Sequence, residues 1–217
     1  MARVLAGDYS GAGAFVPTPP TALDFPRLLG REAWGRLPAA VRHRFGAHAA
    51  GVTTVYDGRM VVEASPIGWL LAQVCRLIGT PLAPWTGTDV PTSVDVRLDH
   101  RGGLVWARTY RFAGRAPILV SSTKLMDADG TLLEVVRGGL GMALTVTVED
   151  GALHFRSRHY FAGVGAWRIG IPDLLTPGRA HVVHRDLGGG TFRFTLAFDH
   201  PWFGRTLFQE GVFRDPA

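Results

Sequence analysis

The chain has 217 residues and a formal net charge of +5, with 47% hydrophobic and 19% charged residues. That composition fits one globular domain with a sizeable core and excludes a disordered chain. Its basic residues are scattered singly, without the clustered charge that a nucleic-acid groove needs, so no nucleic-acid partner is expected.

Lys124 is the only lysine among 23 basic residues, an arginine bias that a GC-rich bacterial genome produces without selection for function. A single cysteine, Cys75, allows no internal disulfide, and a reducing cytoplasm is the simplest compartment. The first residues lack the long apolar core of a signal peptide, and Asp8 interrupts them. The most apolar stretch, Ile67 to Ile78, is too short for a membrane span. A soluble cytoplasmic protein is expected.

Residues 1–20, rich in Gly, Ala and Pro, read as a flexible arm, and 21–217 as one β-rich domain. Residues 24–46 have helical spacing, with Asp24 as cap and Pro26 just inside. Pro38 is expected to divide them into two short helices near Leu37. Phe25, Leu28, Leu29, Trp34, Leu37, Val41 and Phe45 supply the buried face. Residues 51–64 predict a hairpin turning at Asp57-Gly58. Ser65 and Pro66 then open a helix over 66–79 that Gly79 stops. It is apolar on nearly every side, so Trp69, Leu70, Val74 and Leu77 are expected against the concave face of a sheet.

From residue 90 onward the chain alternates with period two between short Gly turns. Trp106, Arg108, Tyr110 and Phe112 share one strand face, and Leu153, Phe155, Ser157, His159 and Phe161 share another. Trp167 and the run 172–177 are expected in a rim loop. A last hairpin pairs Phe192, Phe194, Leu196 and Phe198, facing inward, with residues 207–213. The fold class is therefore α+β, mainly antiparallel β: a curved sheet or open barrel wrapped around the apolar helix, with no βαβ unit.

The opening RLLGREAWGRLPAAVRHRF, the strand VWARTYRF and the tail GIPDLLTP…GTFRFTLAFDHPWFGRTLFQEGVF resemble an uncharacterised bacterial family, domain-of-unknown-function family 4166. Its members stand alone or sit C-terminal to saccharopine-dehydrogenase-like reductases. The resemblance implies no particular reaction, and because this chain carries no reductase domain it implies a possible reductase partner in trans.

No cofactor is expected, since Gly138-Gly139-Leu140-Gly141 lacks both the spacing and the following helix of a dinucleotide loop. No metal is expected either, because no two histidines have ligand spacing on one face. Lys124 reads as a solvated strand residue and Cys75 as a small hydrophobe. What remains is parity. If the aromatic faces point inward, Arg108 and His159 point inward too, and Glu134 or Glu210 is available to pair with Arg108. A mostly apolar cavity with a few convergent polar groups is how small-molecule pockets are built.

Three functions follow. The first is binding of an apolar lipid-, terpenoid- or polyketide-like molecule between the sheet and helix 66–79. Its expected lining is Trp69, Trp106, Arg108, Tyr110, Phe112, Phe155, Ser157, His159, Phe194 and Glu210. The second is a cofactor-independent isomerase or cyclase, in which Arg108 polarises a carbonyl and His159 or Glu134 moves a proton. The third is a structural or interaction domain with a filled core.

Overall fold

A computed structural model describes residues 23–78, 82–164 and 167–216. The expected arm at 1–20 and the helix stop at Gly79 lie outside them. The helical region 24–46 is three short helices rather than two: α1 (Phe25–Leu29), α2 (Arg31–Gly35) and α3 (Ala39–Phe45). Asp24 caps α1 by accepting the Arg27 amide at 3.1 Å. The break that parity missed is at Gly30, whose φ of 77° a residue with a Cβ rarely adopts.

Residues 51–64 form no hairpin. They run straight through Asp57-Gly58 as β1 (Thr53–Ala64). Gly58 is needed for space: a Cβ there would stand 2.6 Å from the Phe213 ring and 2.4 Å from the Val212 carbonyl. Helix α4 (Pro66–Cys75) follows, capped by the Ser65 hydroxyl, which accepts the Gly68 amide at 3.2 Å.

The remaining strands are β2 (Gly87–Leu98), β3 (Leu104–Tyr110), β4 (Ile118–Met126), β5 (Leu132–Val136), β6 (Leu140–Glu149), β7 (Ala152–Val164), β8 (Trp167–Ile171), β9 (Arg179–Gly188), β10 (Thr191–His200) and β11 (Gly204–Arg214). All their pairings among the described residues are antiparallel. Ten strands close a barrel, because β1 pairs with β11 and β7 pairs with both β6 and β9. β8 folds back on the end of β7, so Trp167 opens a strand instead of sitting in a rim loop. Closure leaves no edge through the barrel wall.

The barrel is not wrapped around α4. Helices α1–α3 plug one end with Phe25, Leu37, Val41 and Phe45. Phe45 stacks on Trp106 with ring centroids 5.5 Å apart. Arg44 fastens this plug: its guanidinium donates to Asp215 at 2.6 Å and to Asp186 at 2.9 Å, and lies 4.2 Å over the Phe192 ring. Helix α4 instead lies across β11 and β1 at the other end, burying Gly68 and Ala72. A Cβ on Gly68 would come 1.9 Å from the Thr206 carbonyl, so the helix backbone itself touches the strand.

The corollary reverses the expectation for its apolar side chains. Trp69, Leu70, Val74 and Leu77 are 45%, 54%, 55% and 87% exposed. The contact needs small residues, and α4 meets the barrel through Gly68 and Ala72, leaving the bulky side chains outside. None of the helices among the described residues is long and apolar enough to cross a membrane.

Candidate functional site

Above the plug the interior is not filled. A cavity of about 130 Å³ opens at the end bordered by Cys75 of α4, Leu82, Ala83 and Pro177. Its walls are chiefly apolar: Val120 and Val136 on β4 and β5, Leu140 and Met142 on β6, Val182 on β9, and Leu196 and Phe198 on β10. Phe192 and Phe194 also face inward, as their parity requires, and both are buried.

Into these walls project Arg108, Tyr110, Ser122, Glu134, Tyr160 and Gln209. Strand pairing explains the assembly. Val120 lies opposite Arg108 across β3 and β4, Ser122 opposite Trp106, and Glu134 opposite Lys124 across β4 and β5. Inward residues at every second position therefore stack into layers along the barrel.

Arg108 is 8% exposed. Its guanidinium carbon lies 5.2 Å from the Phe194 ring centroid, and among the described residues no protein group accepts a hydrogen bond from it or lies within ion-pair distance. On its far side a void of about 10 Å³ is bounded by Trp106, His184, Phe192, Phe194 and Phe213.

Glu134 does not pair with Arg108. Its Oε1 accepts the Ser122 hydroxyl at 2.6 Å and lies 3.1 Å from the Lys124 Nζ. Burial alone would raise the Glu134 pKa, but the charges of Lys124 and Arg108 and the donated hydrogen bonds outweigh it and hold the carboxyl below its ordinary value. Lys124, 2% exposed, is pulled below the usual lysine value chiefly by burial, which Glu134 partly offsets.

Polar neighbours complete the layer. The Tyr110 hydroxyl donates to Gln209 Oε1 at 2.7 Å, and the Tyr160 hydroxyl donates to the Gly178 carbonyl at 2.7 Å, tying β7 to the mouth. His184 is buried against Phe45, Trp106 and Phe194, and its Nδ1 has no partner among the described residues. Burial pushes its pKa well below the ordinary value, with Lys124, Arg108 and Arg44 adding to the effect, so it is neutral.

Of the residues singled out from sequence, Arg108, Tyr110 and Glu134 meet in this cavity. Trp106 and Phe194 line the small void beyond Arg108. Phe112 and Phe155 are packed in the core.

The others need correction. Trp69 is on the outer surface of α4. His159 leaves the interior because β7 carries an extra residue: Ala143 faces His159 whereas Leu144 faces Ser157, so Arg158 is bulged out and parity inverts. Tyr160 takes the inward position, while Phe161 packs outside with Leu133 and Ala143. Ser157 accepts the Ala180 amide at 2.8 Å, hydrogen-bonds the Tyr160 side chain, and is not among the residues lining the cavity. On β11 the buried series is Leu207, Gln209 and Phe213, so Glu210 lies on the outer face beside Thr195.

Sequence reasoning missed Lys124, Ser122, Gln209, Tyr160 and Cys75. The first two were within reach, since Val120, Ser122 and Lys124 share parity on β4. Pairing β4 with β5 in register would have set Lys124 against Glu134.

Fold and site together define an antiparallel barrel closed at one end, open at the other, with buried charged groups around an apolar interior. The chain belongs to the family described as domain of unknown function DUF4166, whose model matches residues 37–213. No curated protein matches it.

Proposed function

We propose that the barrel binds an apolar small molecule of lipid-, terpenoid- or polyketide-like character. The observation that carries this reading is the cavity: an apolar-walled space of about 130 Å³, open beside Cys75. Apolar voids of this order hold a benzene-sized guest. A ring or short alkyl run is enclosed, and a longer ligand extends through the mouth between Cys75 and Pro177.

An isomerase or cyclase at the same place needs a free base beside Arg108. Glu134 is engaged by Lys124 and Ser122, and His159 is on the other face of β7. Binding is therefore preferred to catalysis.

Cys75 provides the test, because it is the only cysteine and its half-buried thiol is held above its ordinary pKa by burial. Octan-1-ol is expected to slow maleimide labelling of Cys75 in the wild type, with a matching signal by calorimetry. Val136→Trp, which fills the cavity, is expected to abolish both. Failure of octan-1-ol and of octanoate alike to bind or to protect Cys75 would refute the reading.

A further inference from the structure

Among the described residues the interior of the barrel has an unbalanced charge. Arg108, Lys124 and Glu134 are buried together in it, beside neutral tyrosines and a neutral His184. Lys124 and Glu134 touch at 3.1 Å. As an ammonium–carboxylate ion pair at that distance, the two sum to zero. Arg108 cannot shed its charge, because guanidinium stays protonated. Its charge is left over, more than nine-tenths buried, facing the cavity, with the Phe194 ring 5.2 Å from it.

The chain shows elsewhere how it settles a buried guanidinium. Arg44 has Asp215 and Asp186 around it, two carboxylates for one cation. Among the described residues no such partner reaches Arg108. The candidates that parity suggested are taken or turned away: Glu134 is bound by Lys124 and Ser122, and Glu210 faces outward. Gln209, which occupies the inward position on β11, accepts the Tyr110 hydroxyl through Oε1. A buried unpaired cation costs several kcal/mol in a folded chain. A group that does not belong to the chain and carries the opposite charge removes that cost.

We propose that the ligand of the cavity is an apolar monocarboxylate, its carboxylate seated on the Arg108 guanidinium and its hydrocarbon part against Val120, Val182, Leu196 and Phe198. This rests on the reading of the cavity as a binding site and specifies its ligand class. One charge is required, since the surplus is one. The planar fork of guanidinium matches a carboxylate through two parallel hydrogen bonds. A doubly charged phosphate head would overshoot the surplus and crowd Glu134 in a space of this size.

Octanoate, octan-1-ol and methyl octanoate share a chain length and differ at the head. Their affinities for the wild-type chain are measured by calorimetry at pH 7.5, with Cys75 labelling as a second readout of occupancy. Octanoate is expected to bind at least tenfold more tightly than either neutral compound. Arg108→Leu is expected to collapse that ratio to near one, and Arg108→Lys to restore part of it.

Neutral compounds binding as tightly as octanoate would overturn the carboxylate assignment while leaving the cavity reading intact. No binding by any of the three, with Cys75 labelled at an unchanged rate, would overturn the cavity reading and this inference with it. The wild-type ratio decides between these outcomes even if an Arg108 variant does not fold.

Discussion

Replacing Glu134 by leucine isolates the buried pair at the centre of the barrel. Glu134 and Lys124 are 7% and 3% exposed at the side chain, and their contact is 3.1 Å. Without the carboxylate, Lys124 has two courses. It keeps its charge in the apolar interior, at about 3–5 kcal/mol as measured for broken buried pairs. Otherwise it sheds its proton, which at pH 7 costs about 4.6 kcal/mol for a group whose unfolded pKa is about 10.4. The two routes agree on a loss near 4 kcal/mol, to which the stranded Ser122 hydroxyl adds about 1 kcal/mol.

Urea denaturation of the wild type, Glu134→Leu and the double variant Lys124→Met with Glu134→Leu measures this directly. The double variant is expected to recover most of the loss, because two apolar side chains replace two buried charges. The single variant is also expected to gain stability as pH rises from 7 toward 10. Its Lys124 is depressed in the folded state, so over that window the unfolded chain binds more protons than the folded one. A Glu134→Leu variant within about 1 kcal/mol of wild type, with no added pH dependence, would mean that Lys124 keeps its hydration, and the reasoning would fail.

Two further outcomes are expected. Gly68→Ala forces a Cβ into the Thr206 carbonyl, so α4 should lift from β11; faster maleimide labelling of Cys75 than in wild type checks this, and an unchanged rate contradicts it. His184 is held neutral with its pKa far below 6.5, so on acidification the unfolded chain takes up a proton that the folded chain refuses. Stability is therefore expected to fall below pH 6.5 by up to about 1.4 kcal/mol per pH unit from this residue, and His184→Phe should flatten the slope in urea midpoints between pH 5 and 7.5.

The sequence by itself determined what local chemistry determines. Asp24 and Ser65 cap their helices, Phe192, Phe194 and Phe198 face inward by alternation, and strands joined by short Gly turns, such as β10 and β11, pair antiparallel. Parity also placed Arg108 inside, and that residue lines the cavity.

Only the tertiary structure decided the rest, because in each case the deciding partner is distant in the chain. Asp57-Gly58 is a strand interior because the Phe213 ring needs the space beside Gly58. His159 and Phe161 face outward because one extra residue in β7, opposite Ala143 and Leu144, inverts everything after it. Glu210 faces outward although Phe208 and Val212 beside it are apolar, since alternation gives a face but not its direction. Helix α4 is apolar all round, and its sequence gives no sign that Gly68 and Ala72 would be the buried side; that follows from how closely its backbone approaches Thr206. Barrel closure works the same way. Alternation makes each strand two-faced, but the pairing of β1 with β11 and of β7 with β6 and β9 sets the interior volume, and so leaves Arg108 facing a cavity instead of a neighbouring carboxylate.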